Sequence, residues 1–304
     1  MDSDAPTHPA LQPPLVTIGM PAYNGAPHVE DAVQSLLSQT ESRFILTISD
    51  DCSTDETGSI CRRLAAEDSR IRYVRQPVNQ GSVRNYEYLF RLASTPFFMW
   101  AAQDDLWDAS FVEVCLEQLS EAPSAVGCVT AGQRKSISGK TTYVYPPLSL
   151  SSPNAIRRVT APGSAVPLAW PALYSLFRRD VIPVGALGLF QDLHGWDMIF
   201  IYRVALEAPF VIESRPLITY RQTVADYKTV GRDSHLWLHL HSPDQRDLFR
   251  GFRSCIRGSG LPLRERARLL LWANRQYLLG ACRKQSLAAK RRLAKLKRRT
   301  RLPR

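Results

Sequence analysis

No apolar run in this 304-residue chain approaches the roughly 18–20 residues that a membrane-spanning helix needs, although apolar residues make up 44% of it. Cysteine is scarce and scattered. Cys52, Cys61, Cys115, Cys128, Cys255 and Cys282 include no C-x-x-C pair, which argues against a zinc ribbon or disulfide framework and for free thiols. No G-x-G-x-x-G follows the first β-rich run, which excludes an ordinary dinucleotide-dependent oxidoreductase. No H-E-x-x-H exists either. His235 and His239 have helical i, i+4 spacing and His241 lies close by, but Leu236 stands where a metalloprotease needs Glu. That trio reads as surface or packing, with a ligand role as the alternative. There is no internal repeat. Residues 1–13 lack the basic start and apolar stretch of a signal peptide and read as a disordered arm, so a cytoplasmic location is expected.

What the chain does have is an uneven charge. Residues 261–304 carry 15 Lys and Arg against the single acid Glu265, leaving 24 bases and 27 acids elsewhere. The formal net charge of +11 therefore belongs to the tail, and the body is close to neutral. A charge run confined to one end points to an anionic surface met by that end alone.

The first part alternates short β-rich runs with helical patterns. Strands are expected at 15–19, 44–48, 71–74 and 96–100, and helices at 29–39, 54–66, 83–93 and 109–119, with Ser53 or Thr54 as a cap for the second helix. Such alternation implies βαβ crossovers and a mostly parallel central sheet flanked by helices, which binds ligands at the carboxyl ends of its strands. After 126–130 the pattern loosens. Residues 146–162, rich in Ser and Pro, read as a loop; regular segments return at 170–181, 196–206 and 210–220. Ala267, Leu270, Leu271, Ala273, Tyr277 and Leu278 then recur at helical spacing and lead into the basic run 283–301.

Three groups of chemistry-bearing residues fall at strand ends: Pro21-Ala22-Tyr23-Asn24, Asp50-Asp51 and Gln103-Asp104-Asp105. An aromatic ring there can stack on a base, a carboxylate can accept an imide N–H, and another can hold a divalent cation through hard oxygens. Each group also fits a plainer role, as packing, helix cap or turn.

In order and spacing, residues 15 to about 131 resemble family 2 glycosyltransferases, inverting enzymes of GT-A fold. The resemblance runs through Val16 to Asn24, Ser35 to Thr40, Ile48 to Thr57, Asn79-Gln80-Gly81-Ser82-Val83-Arg84-Asn85 and Gln103-Asp104-Asp105-Leu106-Trp107. It implies a nucleotide-sugar site of Pro21, Tyr23, Asn24, Asp51, Gly81, Arg84, Asn85 and Asp104. Tyr23 would flank the base, Asp51 would bond it, and Arg84 would lie near the diphosphate or the sugar. Asp104 and Asp105 would serve a Mg or Mn cofactor. Ala102 stands where many relatives carry a further acid, which makes a catalytically impaired binding or scaffolding subunit the alternative function. The resemblance also implies a base from the second half: Asp197 opens a helical segment with Arg203 six positions on, and Asp192 and His194 are reserves. The expected architecture is a GT-A domain over 14–260, divided at 131/132 into nucleotide-binding and acceptor-binding halves, with a basic helical extension over 261–304. The expected donor is a UDP- or dTDP-sugar and the acceptor a saccharide or lipid-linked hydroxyl, in cell-surface polysaccharide or glycolipid synthesis.

In the tail, Leu287, Leu293 and Leu296 form a narrow stripe among cations, as on a helix lying on anionic lipid at the cytoplasmic face of a membrane. A solvated run would look similar. Nucleic acid is not expected, since no aromatic is interleaved after Tyr277.

Overall fold

The computed structural model describes residues 13–135, 141–145, 150–160, 170–182, 195–221 and 245–277. Asp192, His194, the His235/His239/His241 trio, the N-terminal arm and the 283–301 run lie outside the described residues.

Among the described residues, nine strands form one mixed sheet: β1 Val16–Ala22, β2 Phe44–Asp50, β3 Ile71–Arg75, β4 Phe97–Trp100, β5 Leu106–Trp107, β6 Gly127–Lys135, β7 Thr141–Tyr145, β8 Leu176–Arg178 and β9 Phe210–Arg221. Their order is β3-β2-β1-β4-β8-β6-β9-β5, with β7 paired to β6. The run β3-β2-β1-β4 is parallel, as expected, and so is the long β6–β9 ladder. Strand β8 joins these two parallel parts through antiparallel pairs with β4 and β6. The boundary drawn at 131/132 thus falls inside β6, and both halves share one sheet.

Helices cover both faces. On one side lie α1 Val29–Leu37, α2 Thr57–Glu67 and α4 Phe111–Glu121, packed over Val16, Ile18, Met20 and Ala22 of β1. In α1 the buried positions Val29, Ala32, Val33 and Leu36 make one helical stripe. On the other side lie α3 Ser82–Leu92 and the helices of the second half. Here Phe98, Trp100, Phe177, Phe200 and Phe210 pack edge to face, a geometry that suits aromatic quadrupoles. Gly19 lets α3 lie close to β1, because a Cβ there would come 3.1 Å from the Leu89 Cβ.

Three expectations need correction. Helix α2 begins at Thr57, not near residue 54. Ser53 and Thr54 belong to the preceding loop, their backbone N–H groups donating to Asp50 Oδ1 and Asn24 Oδ1, both at 2.8 Å. Glu56 holds the N-cap position without a side-chain cap bond, and Asp55 Oδ1 accepts the Thr57 N–H at 3.0 Å. The Ser/Pro-rich stretch holds a helix, α5 Ala155–Thr160, whose first turn is closed by Arg157 N–H donating to Asn154 Oδ1 at 3.0 Å. Its Arg158, 1% exposed, donates to the carbonyls of Ser152, Ala205 and Leu206. A cation at those last carbonyls satisfies the C-terminal end of α7 Trp196–Glu207 and faces its negative dipole.

The third correction concerns the start of the basic extension. Helix α8 Gln245–Arg257 packs on α7 through Leu248, Phe249, Phe252 and Ile256, and α9 (263–277) follows. The α9 positions that enter the core are Leu269 and Ala273. Leu271, one of the apolar residues that recur at helical spacing, is 71% exposed. Leu270 and Tyr277 pack against that core as well, so the described part of the pattern read from the sequence faces inward except at Ala267 and Leu271, which are exposed.

Candidate functional site

Strand β1 leads on to β2 on one side, while β4 is its neighbour on the other. Their carboxyl ends therefore part at a topological switch point, where an open α/β sheet forms its ligand crevice. A cavity of about 370 Å³ lies there, lined by Pro21, Tyr23, Asp51, Asn79, Gly81, Ser82, Asn85, Tyr86, Ala102, Gln103, Asp104 and Tyr174. Six of the expected site residues meet in this lining: Pro21, Tyr23, Asp51, Gly81, Asn85 and Asp104.

Gln103 bridges the crevice. Its Oε1 accepts the Tyr23 N–H and its Nε2 donates to the Tyr23 carbonyl, both at 3.0 Å. One amide side chain thereby continues the sheet's hydrogen bonding from β1 to the turn after β4. Gly25 makes room for it, since a Cβ at that position would run into the Gln103 amide. Tyr23, held by its backbone, leaves its ring 45% exposed at the cavity mouth.

Asp51 is 2% exposed and spends one lone pair on each oxygen: Oδ1 accepts Gln80 N–H at 2.7 Å and Oδ2 accepts Gly81 N–H at 2.9 Å. A carboxylate offers about four acceptor sites, so capacity remains for a ligand. Gly81 has φ of 85°, the left-handed region that suits glycine, and precedes α3. Asn85, 3% exposed, donates from Nδ2 to the Ser49 carbonyl at 2.8 Å, which orients the amide and leaves Oδ1 buried without a partner. An orphaned acceptor in a cavity wall suits a ligand N–H or O–H.

The remaining site residues stand apart. Asn24 is exposed with φ of 48° and closes the loop onto Ser53 and Thr54 instead of facing the cavity. Arg84 is exposed and absent from the lining: Ser82, Asn85 and Tyr86 share one face of α3, and helical geometry turns position 84 to the opposite one. Asp105 is also turned away. It is 8% exposed, and its Oδ1 accepts the Arg221 N–H at 3.0 Å. Burial, and then the charge on Asp104, push its carboxyl up to about 8, with the Arg221 bond opposing.

Arg221 is a residue that sequence reasoning missed. Besides that backbone bond, its Nε donates to the Asp104 carbonyl, Nη2 to the His28 carbonyl at 2.8 Å, and Nη1 pairs with Asp31 at 2.8 Å. The end of β9 is thus tied to the Asp104-Asp105 turn and to α1. Nothing local marks it, because its partners lie 116 to 193 positions away.

Asp197 sits in the first turn of α7 behind Gly195, whose φ is 82°, where the helix dipole favours an anion. The adjoining Trp196 packs edge-on against Tyr86 at 5.1 Å. The Tyr86 phenol is raised above its ordinary pKa, first by burial; a hydrogen bond with Tyr174 opposes this, and the charges of Asp104, Asp105 and Asp197 add to it. Trp196 thus brings the start of α7 against the cavity wall, while Asp197 itself is not among the lining residues. Arg203 pairs with Glu207 on its own helix.

Among the described residues no three His, Cys, Asp or Glu side chains assemble a metal site. The donor set still fits a divalent cation. Asp104 lines the cavity with a carboxylate, a hard oxygen ligand of the kind Mg or Mn takes, and waters and diphosphate oxygens can complete such a cation's shell.

The glycosyl transferase family 2 profile matches residues 17–182. Among curated proteins, the chain is 29% identical over 208 residues to "Uncharacterized glycosyltransferase EpsJ" of Bacillus subtilis (strain 168), covering 65% of this chain and 55% of EpsJ. It is 32% identical over 121 residues to chondroitin synthase of Escherichia coli, covering 40% of this chain and 17% of that protein. The chain therefore spans about half, or much less, of these relatives' lengths. Among solved structures, S. aureus TarS 1–349 in complex with UDP-GlcNAc superposes with a TM-score of 0.64 at 15% identity, over 86% of this chain and 72% of that one. At that identity the likeness speaks for the fold, which is GT-A. With more than half its length matched, the chain belongs to glycosyl transferase family 2.

Proposed function

We propose that the protein is an inverting glycosyltransferase that moves a sugar from a nucleoside diphosphate, UDP or dTDP, to a hydroxyl of a saccharide or lipid-linked acceptor. The observation that carries this reading is the crevice at the carboxyl ends of β1 and β4, where Pro21, Tyr23, Asp51, Gly81, Asn85 and Asp104 line one cavity. The Tyr23 ring flanks the nucleobase, and Asp51 with Asn85 Oδ1 accepts its N–H or a ribose hydroxyl. Pro21 and Gly81 shape the walls where they approach the nucleotide. Asn24 serves by closing the loop beneath the base, and Arg84 meets the donor only at its outer, diphosphate or sugar end. TarS in complex with UDP-GlcNAc supports a uridine donor, and the names of the curated relatives support a role in polysaccharide synthesis.

Asp197 accepts the proton of the acceptor hydroxyl as that oxygen bonds the anomeric carbon from the face opposite the leaving group. The anomeric C–O bond breaks, and its electron pair leaves with the nucleoside diphosphate. Asp104 would hold Mg or Mn together with diphosphate oxygens, with Asp105 behind it, and the cation when bound supplies positive charge to the departing diphosphate. The half-buried rings of Tyr86 and Tyr174 narrow this end of the cavity against water. In a donor-turnover assay with UDP-sugars and Mn, Asp197→Asn should lower kcat about 10²–10⁴-fold with UDP binding intact, and Asp104→Ala should weaken Mn-dependent UDP binding. Unchanged turnover in both variants would mean that these residues are misassigned.

A further inference from the structure

The outer face of α9 is unusual for a helix that closes a core. Its inner side enters the core through Leu269 and Ala273. Its outer arc holds Leu263, Ala267 and Leu271 at i, i+4 and i+8, all exposed, with the two leucines 76% and 71% accessible. At 100° per residue this is one continuous row. Beside it, along one edge, run Arg264, Arg268 and Arg275, also exposed. The sole acid of the helix, Glu265, falls on the far side of the wheel, so the exposed arc carries apolar and cationic groups with Asn274 as its one neutral polar member. On the preceding helix Arg250 and Arg257 are exposed as well, and the chain continues beyond 277 into ten more cations over 283–301.

We infer that this face of α9 is a docking surface for an anionic lipid bilayer, with Leu263 and Leu271 entering the headgroup boundary and Arg264, Arg268 and Arg275 pairing with lipid phosphates. Charge complementarity selects the occupant. An apolar protein groove would be served by the leucines without a cationic border, and a second copy of this chain would set one arginine row against another. A row of leucines beside a row of arginines is what an interfacial helix presents to acidic lipid. The inference is independent of the transferase reading, since it needs no residue of the cavity. It differs from tail attraction alone, because it assigns binding to folded residues and to two apolar side chains.

The test uses the full chain and vesicles of phosphatidylcholine with or without 30% phosphatidylglycerol, read by co-sedimentation. The wild type should sediment with the anionic vesicles and not with the neutral ones. Leu263→Ser/Leu271→Ser should reduce binding about tenfold at moderate salt with an unchanged melting temperature, since both positions are exposed. Arg264→Glu/Arg268→Glu should reduce it further and flatten the salt dependence. Binding unaltered in both double variants would overturn the inference in favour of the tail acting alone. A concentration-dependent dimer abolished by the Leu→Ser pair would overturn it in favour of self-association, and Arg-dependent retention of RNA without vesicle binding would overturn it in favour of nucleic acid.

Discussion

Gln103 does at the scale of one side chain what a strand would do at the scale of an element. Its amide matches the donor and acceptor of the Tyr23 backbone and so holds the proposed base-stacking ring at the cavity mouth. Two neutral hydrogen bonds at about 1 kcal/mol each make the expected effect concrete. Gln103→Ala should weaken UDP binding about tenfold by calorimetry while leaving Asp104 in place, and Gly25→Ala should act in the same direction by displacing the amide. Unaltered affinity in both variants would separate Tyr23 from nucleotide binding. The letters Gln103-Asp104-Asp105 could be read as a motif, but the division of labour within them could not. Asp104 faces the cavity, Asp105 faces β9 and Gln103 faces β1, because each answers to a different neighbour.

At the scale of elements, the loop between β2 and α2 hangs on a carboxylate that lies outside the cavity lining. Asp50 is fully buried, with Oδ1 accepting Ser53 N–H at 2.8 Å and Oδ2 taking the Tyr73 hydroxyl and Arg75 Nη1, both at 2.7 Å. Burial alone would raise its pKa; the bonds from Ser53 and Tyr73 and the charge of Arg75 outweigh that and hold it below the ordinary carboxylate value. A carboxyl whose folded pKa is depressed binds protons more readily when unfolded. Its stabilisation is therefore complete above the unfolded value near 4 and is lost as pH falls through the lower folded value. Asp50→Asn should cost about 2–3 kcal/mol at pH 7 and make the acid limb of a melting-temperature profile shallower. An unchanged acid limb would rule out this linkage. The short elements β7 and α5 escaped the sequence pattern for a related reason. A five-residue strand and a six-residue helix carry too few periodic positions, and neighbours supply their stability.

Across the whole molecule, the site exists only because the far end of the sheet returns to the near one. Strand β9 pairs with β5 and delivers Arg221, whose backbone N–H and three side-chain nitrogens tie the Asp104-Asp105 turn to α1. Arg221→Met should lower donor kcat/KM by tenfold or more and the melting temperature by about 5 °C, since it removes charge-assisted bonds together worth about 2 kcal/mol in a domain of this size. Arg221→Lys should fail to restore activity, because one ammonium cannot span three acceptors set out for a guanidinium. Full activity in the lysine variant would reduce the role of Arg221 to its charge.

The sequence by itself determined the strand–helix alternation of the first half, the order of Tyr23, Asp51, Asn85 and Asp104 along it, and the confinement of positive charge to the end. These are local properties, set by periodicity, turn chemistry and composition within a few residues of each other. Tertiary structure decided which carboxylate of the Asp104-Asp105 pair meets the cavity, that Arg84 faces outward, that Asp51 braces the loop before α3, and which face of α9 remains bare. Those outcomes depend on contacts between residues far apart in the chain, where packing and not propensity selects the partner.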